Sequence, residues 1–209
     1  YRKYYVGYRR GQYNTKDILS LNKMGWMVGL QMGLETALFS ISGIMIGWLG
    51  SIALAAHQIM IAISTLGFMI YYGVGAAVSV RVSNFYGRGD ITNVKRSTMA
   101  GFHIMLCLVL IASTIFFFAQ DVIGILFTTS PEVISLVSSL IIILMIYQFG
   151  DALQIIYANS LRGIGDVISM AIISFIGYFL LAMPVCYICG FILNLGITGI
   201  WIGYPVGLT

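Results

Sequence analysis

Charge is what this sequence has least of. Only 9% of its 209 residues are charged, whereas roughly a quarter are in a soluble globular domain, and that deficit excludes a chain kept in water by its own surface. Histidine is nearly absent, with two residues, and cysteine contributes three, Cys107, Cys186 and Cys189, each inside an apolar run. Cys186 and Cys189 form a CxxC, but no second pair and no neighbouring histidine completes a metal set, so these cysteines read as small buried hydrophobes. A signal-peptide pattern is missing too. The chain opens at Tyr1 without a methionine, and its last apolar run is cut off at Thr209, so it reads as a fragment of a longer protein. The net charge of +4 needs no nucleic-acid partner, because bases gathered in particular loops are what the positive-inside rule produces.

What is present is apolar: 59% of the residues are hydrophobic. A helix crossing a bilayer needs about 20 of them in succession, and five stretches qualify, 24–48, 52–80, 97–119, 133–157 and 167–193, with a sixth, 197–209, truncated. The expectation is an all-α integral membrane protein, a bundle of five complete transmembrane helices plus the start of a sixth. Segment 1–23 carries Arg2, Lys3, Arg9, Arg10, Lys16 and Lys23 against Asp17 alone, which marks it as cytoplasmic and lying on the anionic leaflet. The first outer loop is uncharged. Arg81, Arg88, Lys95 and Arg96 return to the inside, Asp121 and Glu132 fall outside, Arg162 and Asp166 inside. The bilayer lipid is therefore the chain's first partner.

An internal echo joins the inner ends of the second and fourth runs, Gly87-Arg88-Gly89-Asp90 and Gly163-Ile164-Gly165-Asp166. In each, glycine can end one helix in a left-handed turn and aspartate can cap the next. Gly43 with Gly47, and Gly199 with Gly203 and Gly207, have the spacing of close helix packing. Pro184 should bend the fifth span. His57 reads as a hydrogen-bonded structural residue, and His103 more so, having no acid on its own helix.

Two carboxylates sit where lipid would exclude them. Asp151 lies in the fourth run and Glu35 midway along the first, each at an insertion cost of about 2.5–3.5 kcal/mol, so each must face protein or water. Tyr147, Gln148, Gln154 and Ala158 share the helical face of Asp151; Gln31 and Ser42 share that of Glu35. Brought together across a bundle, the two acids could coordinate a cation, Na+ in particular, with help from Tyr147 and backbone carbonyls, or hold a proton. A rival reading makes Asp151 and Asp166 the pair of an intramembrane aspartyl protease, because glycine-x-glycine-aspartate is one of its signatures. The separation argues against it, since Asp166 belongs beside Arg162 at the membrane interface.

The stretches Ala53–Gln58 (ALAAHQ), Gly75–Asp90 (GAAVSVRVSNFYGRGD) and Tyr147–Asp166 (YQFGDALQIIYANSLRGIGD) resemble the multidrug and toxic compound extrusion (MATE) transporters, in their NorM-like bacterial branch. The resemblance implies half of a twelve-helix, two-lobe carrier, with 1–23 the inter-lobe linker and 24–209 the C-terminal lobe, set in the bacterial cytoplasmic (inner) membrane. It implies no enzyme and no cofactor, but export of organic cations, dyes and antibiotics in exchange for Na+ or H+ by alternating access, with the N-terminal lobe as partner. The matching cation positions are Glu35, Tyr147, Asp151 and, more weakly, Phe68; Gln58 faces the central cavity, which Gln31 and Gln154 would also line. Some relatives carry Asn where this chain has Ala62, leaving a sodium shell one oxygen short. The alternative is a lipid-linked oligosaccharide flippase of the same broad superfamily; such a carrier would want cationic side chains deep in the spans, and the sequence places none there.

Overall fold

A computed structural model describes residues 14–208; Arg2, Lys3, Arg9 and Arg10 of the basic opening segment lie outside the described residues. The described chain forms helices α1 (Thr15–Gly47), α2 (Ser51–Gly87), α3 (Ile91–Phe127), α4 (Pro131–Ile164), α5 (Val167–Ile192) and α6 (Gly196–Leu208), and no strand. The first five are long and apolar enough to cross a membrane. At 1.5 Å per residue, the 37 residues of α2 reach about 55 Å, against about 30 Å of bilayer hydrocarbon. The apolar runs are thus the middles of longer helices. The same holds for α1, which starts at Thr15, ahead of the apolar run: the Asn14 side chain accepts the Lys16 N–H at 3.1 Å, and nothing in backbone hydrogen bonding obliges a helix to stop where lipid does.

Both Gly-x-Gly-Asp segments do what their chemistry predicts. Gly89 has φ +75° and Gly165 φ +82°, the left-handed conformation that glycine adopts without cost. Asp90 then accepts the Asn93 N–H at 3.0 Å and Asp166 the Ser169 N–H at 3.2 Å. The two bonds Asp90 receives from Asn93, backbone first and side chain second, hold its carboxyl below the usual range. These joints lie at one end of the bundle, where the Thr98 hydroxyl of α3 donates to Ser160 of α4 at 3.1 Å.

Helix α4 is the hub, packed on α2, α3, α5 and α6, while α1 leans on α5 and α2. Gly199, Gly203 and Gly207 press α6 onto the Ala182–Cys189 stretch of α5, where a side chain on Gly203 would run into Cys186. The Gly43 and Gly47 pair does not pack this way. Gly47 faces open space and Gly43 meets only the His57 ring, at an ordinary 3.6 Å, because α1 and α2 part there. In α5, wide π turns at Ile176–Ala182 and Ile188–Ile192 flank Met183–Tyr187, which holds Pro184. The missing proline N–H is absorbed in these turns.

Candidate functional site

The turn-by-turn spacing of α4 puts Tyr147, Gln148 and Asp151 on its buried side, where Asp151 is only 2% exposed. Opposite it α1 brings Glu35, the first π turn of α5 brings Tyr178, and α6 brings Tyr204; these three line one small enclosed space with Asp151, Tyr147 and Phe39. The two carboxylates that the sequence singled out thus border the same space. Aromatic edges close the space: Phe39, Tyr147, Trp201 and Tyr204 stand 5.1–6.2 Å apart, centroid to centroid.

Polar ties hold the walls. The Ser42 and Tyr204 hydroxyls share a bond of 2.6 Å, the Tyr71 hydroxyl donates to Gln148 at 3.0 Å, and the Gln154 amide donates to the Tyr178 hydroxyl. Gln31 donates to the Glu35 carboxylate at 3.3 Å while its carbonyl accepts from the Arg162 guanidinium. Asp151 faces Glu35 across this space while almost wholly buried. A buried carboxylate so placed is costly, and a proton or a cation would relieve it. The surrounding oxygens, two carboxylates with the Tyr147 and Tyr178 hydroxyls, suit a hard cation such as Na+. Among the described residues no Cys or His lines this space, so the donors are hard oxygens and not soft-metal ligands.

Two further spaces meet at Glu35. Between α1 and α2 opens a cavity of about 800 Å³ that runs from Gly47 and Leu54 down to Glu35 and Phe68. Its walls are apolar side chains and small hydroxyls, with Gln58, His57 and Gly43, and Glu35 is the one charged side chain among the residues lining it. On the other side of Glu35 lies a narrow cleft bounded by Gln31, Gln154, Asn159 and Arg162, with Phe68 between. Gln58 thus faces the wide cavity, Phe68 borders both spaces, and Gln31 and Gln154 border the cleft.

Several expectations need correction. Ala62 is exposed on α2 and lines none of these spaces, while the Tyr178 hydroxyl faces Glu35 from α5. His57 is fully buried with both ring nitrogens lacking a hydrogen-bond partner among the described residues, edge-on to Trp201 at 5.8 Å, rather than hydrogen-bonded. His103 is structural as expected, bonded to the Met99 carbonyl at 2.7 Å. Arg162 does not stay at the interface beside Asp166 but turns inward to Gln31, so one cationic side chain does reach into the spans. Asp166 is used in capping α5 and does not meet Asp151. The residues sequence reasoning missed are Tyr178, Tyr204 and Arg162. A tyrosine in an apolar run is the available signal, since a buried phenol seeks a partner for its hydroxyl.

The comparisons with known proteins agree with this architecture. The MatE family matches residues 28–188. The chain is similar to the multidrug resistance protein NorM of Photobacterium profundum, 35% identical over 198 residues that cover 93% of this chain and 43% of that protein. It is likewise similar to NorM of Vibrio parahaemolyticus, 34% identical over 206 residues, 95% of this chain and 45% of that one. Among solved structures, the eukaryotic MATE transporter AtDTX14 superposes with TM-score 0.87 at 23% identity, over 95% of this chain and 46% of that chain. An outward-facing multidrug resistance MATE transporter gives 0.81 at 17% identity, over 90% and 42%. The chain spans a little under half the length of the curated relatives it matches, and within that span it belongs to the MATE family of membrane transporters.

Proposed function

We propose that this chain is the C-terminal lobe of a bacterial multidrug exporter that moves organic cations, dyes and antibiotics outward in exchange for a cation, Na+ or H+. The observation that carries the reading is the placing of the buried Asp151 and the half-buried Glu35 around one space, with Glu35 also forming the floor of the wide cavity. A cation entering by that cavity meets Glu35 first and passes to Asp151, where the Tyr147 and Tyr178 oxygens replace part of its water. Occupied and vacant sites then differ by one charge among α1, α4, α5 and α6. The wide turns of α5 beside Tyr178 give that helix a place to change its bend. Coupling follows if the two arrangements of the lobes differ in their affinity for the cation.

Cargo would sit between this lobe and an N-terminal lobe. The lone acid in the cavity wall favours cationic or neutral compounds over the phosphates of a lipid-linked oligosaccharide, because Arg162 lies in the cleft and not in the cavity. The end bearing Arg88, Lys95 and Arg96 would face the cytoplasm of the inner membrane. The test is efflux of ethidium from liposomes holding the full-length parent, under an imposed sodium gradient and separately a pH gradient. The reading expects one gradient to drive efflux; a protein that responds to neither contradicts it.

A further inference from the structure

We infer that Arg162 is the built-in counter-ion of the carboxylate site: its guanidinium compensates Glu35 when the coupling cation is absent, so that it weakens cation binding and permits release through the narrow cleft. This deepens the proposed function and rests on it.

Glu35 alone borders all three spaces, the wide cavity, the enclosed space of Asp151 and the cleft. The cleft leads from it toward the end of the bundle where α2 and α4 finish at Gly87 and Ile164, and Arg162 is the one cationic side chain lining it. Between acid and base stands Gln31, only 3% exposed. Its carbonyl takes the Arg162 bond and its amide gives a bond to Glu35, so its orientation is fixed by charge at both ends. Arginine has five N–H donors in a rigid fork. Here the Arg162 Nε is buried without a partner among the described residues, so the guanidinium has donors in reserve for a carboxylate once the ion between them leaves.

The charge count explains why such a residue is needed. Two carboxylates and one monovalent cation leave one negative charge unbalanced, and Arg162 balances it. When the cation leaves, two carboxylates would remain without a counter-ion in a medium of low dielectric, and release would stall. An arginine one hydrogen-bonded link away lowers the cost of the vacant site, at the expense of cation affinity.

The experiment uses the full-length parent in liposomes, with ethidium efflux followed over a series of external driving-cation concentrations, NaCl or protons as wild type dictates. Arg162→Gln should lower the half-saturating concentration about tenfold, the effect of removing one charge at intermediate dielectric, while maximal efflux falls because release is slow. Arg162→Lys should keep a half-saturation near wild type. A structural tether between α1 and α4 would instead lower maximal efflux and protein amount with half-saturation unchanged, and that result overturns the inference while leaving the proposed function standing. Failure of wild type to respond to either gradient would instead remove the proposed function itself. If Arg162→Gln does not accumulate in the membrane, Glu35→Gln added to the same chain should restore it, since the uncompensated carboxylate is then gone. No restoration also overturns the inference.

Discussion

Two glycines of α2, Gly73 and Gly75, should respond in opposite ways to the same added methyl group. A Cβ on Gly75 would stand 2.6 Å from the Asn159 amide nitrogen and 2.7 Å from the Ile155 Cγ2 atom, whereas one on Gly73 meets nothing within 4 Å. Asn159 cannot swing aside freely, because its amide is bonded to the Ile155 carbonyl at 2.8 Å, and Ile155 is stiff at its branched Cβ. Both alanines gain the same helix propensity over glycine, about 1 kcal/mol, so it cancels in the comparison. What remains is overpacking at Gly75, about 1–3 kcal/mol, as α2 is forced away from α4 one turn beyond Asp151. Full-length variants carrying Gly73→Ala or Gly75→Ala, heated in detergent at one scan rate and followed by loss of the monodisperse peak, should melt a few degrees apart with Gly75→Ala lower. Equal melting would refute the α2–α4 spacing on which the position of Asp151 rests.

Other outcomes follow from the same contacts. Tyr178→Phe leaves the Gln154 amide without its acceptor and removes an oxygen facing Glu35; the half-saturating driving-cation concentration should rise about tenfold, as for loss of a bond to a charged group, measured by efflux titration. Ile156→Ala, at a fully buried position on α4, should cost about 2–5 kcal/mol, seen as a lower melting temperature. Because Asp90 titrates below the usual carboxylate value when folded, its cap is in force above that usual value and is lost as pH falls through the folded one. The protection of the Asn93 amide relative to its intrinsic exchange rate should therefore fall only in acid, and at neutral pH in Asp90→Ala. Cys107, read from the sequence as buried, is instead exposed on the membrane-crossing α3, where it would face lipid, whereas Cys186 is buried; since a thiolate is needed for reaction, a water-soluble maleimide should leave both unlabelled until the protein is unfolded.

The sequence already showed the parts of this fold that are local. Long apolar runs, the two Gly-x-Gly-Asp joints and two acids stranded in lipid-compatible stretches are each set by neighbours within a turn or two, and all are found as expected. Side-chain direction across helices is a different matter. Arg162 sits four residues before Asp166, which suggested an interface pair, yet the cleft between α1 and α4 draws it inward to Gln31. Gly43 and Gly47 have packing spacing but border a cavity, since helix separation is set by the whole bundle and not by one helix's glycines. Tyr178 reaches the site on a π turn, which displaces its register from that of a regular helix. The start of α1 differed for a simpler reason, as hydropathy marks lipid and not hydrogen bonding.

The most direct test of the account is the Asp151→Asn variant of the full-length parent, reconstituted at an amount equal to wild type and assayed for ethidium efflux under the gradient that drives wild type. Asparagine keeps the shape and can still form hydrogen bonds but cannot carry the charge that a cation or proton must neutralise. The account predicts that gradient-driven efflux is lost while the protein remains folded. Efflux equal to wild type would mean that Asp151 is a structural residue and that the coupling site lies elsewhere.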